Sequence, residues 1–149
     1  MTMNQCTLTL LNDVNQAIIK FRGIYSQWSN AHEISYNEML VLYSIREKGF
    51  CTQKQICDSY LLPRQTINNV ITGLRKNGIL TFSPENSVGR EKAFMLTEKG
   101  EAYARPLMNS MSRFEEHAVA LLGHEKLTAL TGLMREYDQA LSQAMQDVR

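Results

Sequence analysis

The chain has 149 residues, 44% of them hydrophobic and 21% charged, with a formal net charge of +1. That is the make-up of one ordinary globular domain with a real core, and its longest apolar runs are far too short to span a bilayer. Three cysteines without a framework spacing, three scattered histidines and no P-loop, GxGxxG, GxSxG or HExxH pattern leave no disulfide scaffold, metal site, cofactor or catalytic set to expect.

The stretch Met1–Cys6 has no basic region followed by an apolar block, so no signal peptide is expected and the cytoplasm is the expected location. A first helix is predicted from about Thr7 to Ala31. There Leu11, Val14, Ile18, Phe21, Tyr25 and Trp28 alternate spacings of three and four, a heptad-like seam. A second helix starts near Ser35, with Glu38 three residues on as a capping-box pattern, and ends by Gly49. Met39, Leu40, Leu42, Tyr43 and Ile45 supply its apolar face. A third starts at Thr52 and runs to about Tyr60 with Ile56 inward, and a short turn through Leu61 and Leu62 leads to a fourth. That spacing is the spacing of a helix-turn-helix.

The fourth helix is the most informative segment. Pro63 suits a first helical turn and Gly78 the residue just past a helix end. Between them Ile67, Val70, Ile71 and Leu74 form one apolar stripe. At about 100° per residue, Gln65, Asn69, Thr72 and Lys76 point away from it, flanked by Arg64, Asn68 and Arg75. A merely solvated face mixes Glu and Asp with Lys. This one carries amides, hydroxyls and cations and no carboxylate, as a face meant for a polyanion must.

After Gly78 two short apolar strands are predicted, Ile79–Phe82 and Ala93–Leu96. Pro84 to Gly89 between them reads as turn chemistry: a hairpin with a long tip, or wing, with Arg90 and Lys92 at its return. Thr97 caps a further helix carrying Tyr103, Leu107, Met111, Phe114 and Val119, with Pro106 inside it and Gly123 ending it. The last helix repeats the three–four spacing through Leu127, Leu130, Met134, Tyr137, Leu141, Ala144 and Val148. The expected fold is mainly α with a small β-hairpin wing: an α+β winged helix-turn-helix (35–100) flanked by a long N-terminal helix (1–34) and C-terminal helices (101–149). The terminal seams carry more apolar surface than one small module covers, so a symmetric homodimer is the economical arrangement. Charge agrees with the central module as the polyanion-facing part. From Arg46 to Lys92 there are eight Lys/Arg against four Asp/Glu, a net +4, which leaves the rest of the chain at −3.

In this order and spacing, Leu62-Pro63-Arg64-Gln65-Thr66-Ile67-Asn68-Asn69, Leu74-Arg75-Lys76-Asn77-Gly78-Ile79 and Leu96-Thr97-Glu98-Lys99-Gly100 resemble the MarR family of bacterial transcriptional regulators. The resemblance covers the whole chain. It implies a homodimer on pseudo-palindromic double-stranded DNA, with the fourth helix in the major groove and the wing in the minor groove. It further implies a repressor released by a small, often aromatic effector bound near the dimer interface. One departure stands out: where the family wing usually carries Asp-x-Arg, with the Asp bracing the Arg, this chain reads Val88-Gly89-Arg90.

On this reading Gln65, Thr66 and Asn69 face base edges, since amides pair with adenine and threonine touches a thymine methyl. Gln53, Lys54, Arg64, Asn68, Arg75 and Lys76 meet phosphates, which position without specifying. Arg90 and Lys92 reach the minor groove. Arg22, Tyr25, Trp28, His32, Tyr36, Met39 and Tyr43 cluster around the junction of the first two helices, where the resemblance puts effector pockets; core packing is the plainer account of the aromatics. Redox sensing through Cys6 is an alternative, although Cys6 falls before the predicted first helix and earlier than the family's sensing cysteines. Cys51 precedes a helix N-terminus, which favours a thiolate, but a buried inert thiol is the plainer reading for Cys51 and Cys57. A winged-helix module for a protein partner is the other alternative. No enzyme, cofactor or membrane role is expected.

Overall fold

A computed structural model describes residues 4–148. Residues 1–3 of the expected N-terminal segment, and of the stretch read for a signal peptide, lie outside the described residues, as does residue 149. The elements are α1 (Gln5–Ala31), α2 (Tyr36–Lys48), β1 (Cys51–Thr52), α3 (Gln53–Tyr60), α4 (Arg64–Lys76), β2 (Leu80–Val88), β3 (Glu91–Leu96), α5 (Glu98–Leu122) and α6 (His124–Asp147). The fold is mainly helical with one small antiparallel sheet. It divides into two compact units between Arg105 and Pro106.

Side-chain caps set the helix starts. The Asn4 side chain accepts the Thr7 N–H at 2.8 Å, so α1 begins two residues earlier than the apolar spacing predicts, and Cys6 lies inside its first turn rather than before it. Ser35 accepts the Glu38 N–H at 3.1 Å and starts α2. The reciprocal half of the predicted capping box is redirected, because the Glu38 carboxylate accepts instead from Tyr103 Oη on α5 at 3.1 Å. The full box occurs at α3: Gln55 N–H donates to Thr52 Oγ1 at 3.1 Å, and Thr52 N–H donates to Gln55 Oε1 at 2.9 Å. Pro63 sits one residue before α4, where its carbonyl accepts the Ile67 N–H at 3.3 Å. At the other end Gly78 takes φ +71°, Gly78 N–H bonds Arg75 O and Ile79 N–H bonds Leu74 O, both at 2.9 Å. That is a Schellman ending, with Leu74 and Ile79 both buried.

The first unit has one core. α2 is buried nearly all round, through Met39, Leu40, Val41, Leu42 and Ile45, which leaves the expected core residue Tyr43 at the surface. Val41, fully buried, joins the face instead. Ile56 of α3, Ile67, Ile71 and Leu74 of α4, and Leu80, Ala93, Phe94 and Leu96 of the sheet close around it. α1 packs along α2 and buries only Ser29; Val14, Ile18 and Phe21 of its seam stay exposed. In the second unit Met108 and Met111 are buried, while α6 buries no residue.

The wing differs from the predicted hairpin in two ways. It is a three-stranded sheet, β1-β3-β2, in which the two residues of β1 pair as Cys51↔Phe94 and Thr52↔Ala93. And β2 does not stop at Phe82. It continues to Val88, with the register interrupted between Ser83↔Ala93 and Val88↔Glu91, so the tip is only Gly89 and Arg90. Pro84, Glu85, Asn86 and Ser87 form a bulge rather than an open loop. The bulge is tied to Ser83, which is fully buried. Ser83 Oγ donates to Glu85 Oε1 at 2.8 Å and accepts from Asn86 Nδ2 at 2.9 Å. Ser83 O accepts from Ser87 Oγ at 2.8 Å, and that hydroxyl accepts the Ala93 N–H at 2.9 Å.

The segment after the wing docks on the end of α4. Thr97 Oγ1 accepts the Gly100 N–H at 2.9 Å, and Thr97 N–H donates to Ile79 O at 3.0 Å. A Cβ on Gly100 would stand 2.0 Å from that Ile79 oxygen, so only glycine lets α5 approach this closely. Lys99 Nζ covers the Asn77 carbonyl at 2.7 Å, adding charge to the C-terminus of α4.

Candidate nucleic-acid interface

The apolar stripe of α4 is anchored: Ile67, Ile71 and Leu74 are buried and Val70 half-buried. The opposite face, with Gln65, Asn68, Asn69, Thr72, Arg75 and Lys76, is exposed, and Thr66 at its margin is half-buried. Gln65 Nε2 donates to Asn69 Oδ1 at 2.8 Å, so the two amides expected to read bases stand together one turn apart. Their remaining amide donors and the Gln65 carbonyl are left for another partner.

The predicted phosphate contacts, taken with Lys92 of the wing, differ in their partners. Asn68 and Lys76 project freely. Arg75 and Lys92 rest on wing aromatics: the Arg75 guanidinium lies 5.7 Å from the Phe94 ring centre and the Lys92 ammonium 5.7 Å from that of Phe82. The two rings meet edge to face at 6.4 Å. These contacts hold both cations beside the sheet while leaving their charge unneutralised. Lys54 and Arg64 are each paired with a carboxylate. Lys54 bonds Asp58 one turn on, and that hydrogen bond followed by the Asp58 charge raises its pKa. Arg64 Nη2 donates to Glu91 Oε1 at 2.7 Å, and Glu91's hydrogen bond and charge likewise raise the guanidinium pKa. Gln53, half-buried at the start of α3, donates through Nε2 to Arg64 O at 2.9 Å. Arg90 stands at the exposed tip beside Gly89, whose φ of +59° makes the turn.

Sequence reading missed Glu91, Ser83 and the Phe82–Phe94 pair. Arg64 and Glu91 lie 27 residues apart, outside any helical or hairpin spacing, so no local pattern marks them as partners.

The proposed effector residues divide between two helices that pack together. On α1, Arg22 is exposed, Tyr25 and Trp28 are half-buried, and His32 follows at the cap. The Trp28 and His32 rings stack at 4.0 Å, and His32 Nδ1 bonds Trp28 O at 2.8 Å. On α2, Met39 is in the core, Tyr36 is half-buried and Tyr43 exposed. A groove of about 160 Å³ lies elsewhere, between the start of α2 and α4, bordered by Glu38, Asn69, Gly73 and Asn77. None of the proposed effector residues lines it.

Burial pushes the Cys51 thiol up, outweighing the Lys48 charge and a backbone hydrogen bond at Thr52, so the helix N-terminus beside it does not yield a thiolate. Burial also raises Cys57, against the opposing charge of Arg64. Cys6 is exposed on α1. Among the described residues no helix is long and apolar enough to cross a membrane.

No family model matches the chain. It is 29% identical over 138 residues, 92% of its length and 91% of the relative's, to YwoH of Bacillus subtilis (strain 168), an uncharacterized HTH-type transcriptional regulator. It superposes with a TM-score of 0.84 on NMB1585, a MarR family regulator from Neisseria meningitidis, at 26% identity over 99% of this chain and 100% of that one. BpsR of Bordetella bronchiseptica shares the fold at a TM-score of 0.68 and 18% identity, covering 87% of this chain and 98% of BpsR. A helix-turn-helix with a carboxylate-free outer face, a wing beside it, and end-to-end likeness to these proteins have one common reading: the chain is a winged helix-turn-helix transcriptional regulator similar along its whole length to regulators of the MarR family.

Proposed function

We propose that this regulator is a homodimeric, cytoplasmic repressor that binds a pseudo-palindromic DNA operator and releases it when a small aromatic molecule binds. The observation that carries the DNA reading is the outer face of α4, exposed, free of carboxylates and bearing the paired amides Gln65 and Asn69. α4 lies in the major groove, where amides bond adenine N6 and N7 and Thr66 contacts a thymine methyl. Lys54, Arg64, Asn68, Arg75 and Lys76 set the register on phosphates. Arg90, at the end of a two-residue tip, enters the minor groove. Two copies related by a two-fold axis read half-sites one helical turn, roughly 34 Å, apart. An effector need only change that separation by a few ångströms, on the order of a tenth of it, to cost both major-groove contacts together.

BpsR, whose DNA binding is regulated by 6-hydroxynicotinic acid, supports the choice of a small aromatic effector. Within this chain the Trp28–His32 stack, with Tyr25 and Tyr36 half-buried nearby in sequence, is the aromatic surface offered to it.

Selection from a random duplex pool at fixed moderate salt tests the reading. A palindrome with half-sites about ten base pairs apart is expected. Replacing Gln65 and Asn69 together by Ala is then expected to erase preference for that palindrome while leaving the helical circular dichroism and the weak, salt-sensitive binding to any duplex. Each lost bidentate contact is worth about 1–3 kcal/mol of discrimination. Undiminished preference in the double variant would show that α4 does not read the bases.

A further inference from the structure

Arg64 opens α4 and is a phosphate contact on the DNA-binding reading above, on which this inference rests. Its guanidinium is held by one acceptor, Glu91 Oε1, at 2.7 Å, while its side chain remains 66% exposed and that of Glu91 30% exposed. Its backbone carbonyl is fixed from the other side by Gln53. Glu91 is the first residue of β3, directly after the tip, and its backbone is paired with Val88. Among the described residues one side-chain ion pair joins the wing to the recognition helix, beside the Arg75–Phe94 contact, and it lies on the face that carries the amides and cations.

A carboxylate and a phosphodiester offer arginine the same chemistry: an anionic oxygen taking a charge-assisted N–H bond. We propose that Glu91 is a built-in competitor for Arg64, its carboxylate holding the guanidinium that a DNA phosphate takes in the complex. An exposed ion pair is weak and screened by salt, so the exchange is easy. Its consequence lies in counting. Non-specific affinity comes almost wholly from cations that displace counterions from phosphates. Glu91 withdraws one cation per chain from that set, and with it part of the affinity for arbitrary DNA.

The test is a double-substitution cycle on duplex DNA of random sequence. Affinity is measured by fluorescence anisotropy across a salt series for the unaltered chain, Glu91→Gln, Arg64→Gln and both together, with circular dichroism to verify folding. Glu91→Gln is expected to bind more tightly, with a salt slope steeper by about 0.9 per chain. In the Arg64→Gln background the same change is expected to leave the slope unaltered, because there is no guanidinium to release. Equal gains in both backgrounds would mean that Glu91 only repels DNA, and weaker binding by Glu91→Gln would mean that it supports Arg64; either overturns the competition. If the unaltered chain fails to bind duplex DNA at low salt, the DNA-binding reading falls and this inference with it. Binding by the unaltered chain without coupling between the two sites removes the inference alone.

Discussion

Tyr103 on α5 donates its Oη hydrogen to Glu38 Oε1 on α2, at the rim of the first unit. Burial, then the Glu38 charge, then the hydrogen bond itself raise the phenol from 10.0 to about 12. All three act in the same direction, since each favours the neutral phenol over a phenolate. The sign for stability follows. The folded state holds this proton more tightly than the unfolded chain, so the contribution is fully present below pH 10 and is lost as pH rises through about 12. Tyr103 is 38% exposed, and solvent screening makes the energy small. The cleaner readout is phenolate absorbance in an alkaline titration. One of the six tyrosines is expected to titrate last, and in Glu38→Gln that last step is expected to move down without returning fully, because burial remains. A titration unchanged by Glu38→Gln would show that the carboxylate does not act on this phenol.

The wing shows how one hydroxyl changes an element. Pro84, Glu85, Asn86 and Ser87 are turn formers by type, and a bulge of this size would stay open without a partner for its polar groups. Ser83 supplies the partner: its buried Oγ and carbonyl take up Glu85, Asn86 and Ser87, and Ser87 returns to the Ala93 N–H. Glu85 records this, since hydrogen bonds from its own backbone and from Ser83 lower its carboxyl pKa. Ser83→Ala is expected to cost about 0.5–1.5 kcal/mol in urea unfolding, and to speed amide exchange at Val88 and Ala93 while leaving α2 and α4 protected. Uniform acceleration across the unit would mean that the bulge is not a local element. Sequence periodicity made α2 and α4 legible, because their apolar residues repeat over two or more turns, and Ser35, Thr52 and Gly78 mark ends of α2, α3 and α4. The outward face of α4 was legible for the same reason. Strand β1 was not, since two residues carry no period and its partner lies some forty residues away. The length of β2 was hidden because residue type at 84–87 argues for a turn, and only the tertiary position of Ser83 argues against it. Arg64 reads as a free cation in sequence; its restraint by Glu91 exists only in the fold.

The terminal helices pose the remaining physical problem. On α1, Val14 is 43%, Ile18 38% and Phe21 47% exposed; on α6, Leu130 is 39%, Met134 45% and Leu141 52% exposed. Isolated apolar residues at a surface need no explanation, but rows of them at helical spacing on two long helices are an interface in want of a partner. On the proposed dimer the partner is another helix with the same three–four seam, which a second copy of the chain would supply. A two-fold pair would also present two copies of α4, which a palindromic operator requires. Met134→Glu combined with Leu141→Glu places two charges on the seam of α6, where apolar surface is expected to be covered. Neither side chain contributes to the first-unit core, so the winged module is expected to keep its fold. Sedimentation should show a two-chain species for the unaltered protein and a single chain for the double variant at the same micromolar concentration. Operator affinity should fall by about 10²–10⁴ as the second half-site ceases to be a tethered event, while weak binding to arbitrary duplex persists. A double variant that still sediments as two chains would move the interface away from α6; an unaltered protein that sediments as one chain yet binds a palindrome would remove the dimer from the mechanism.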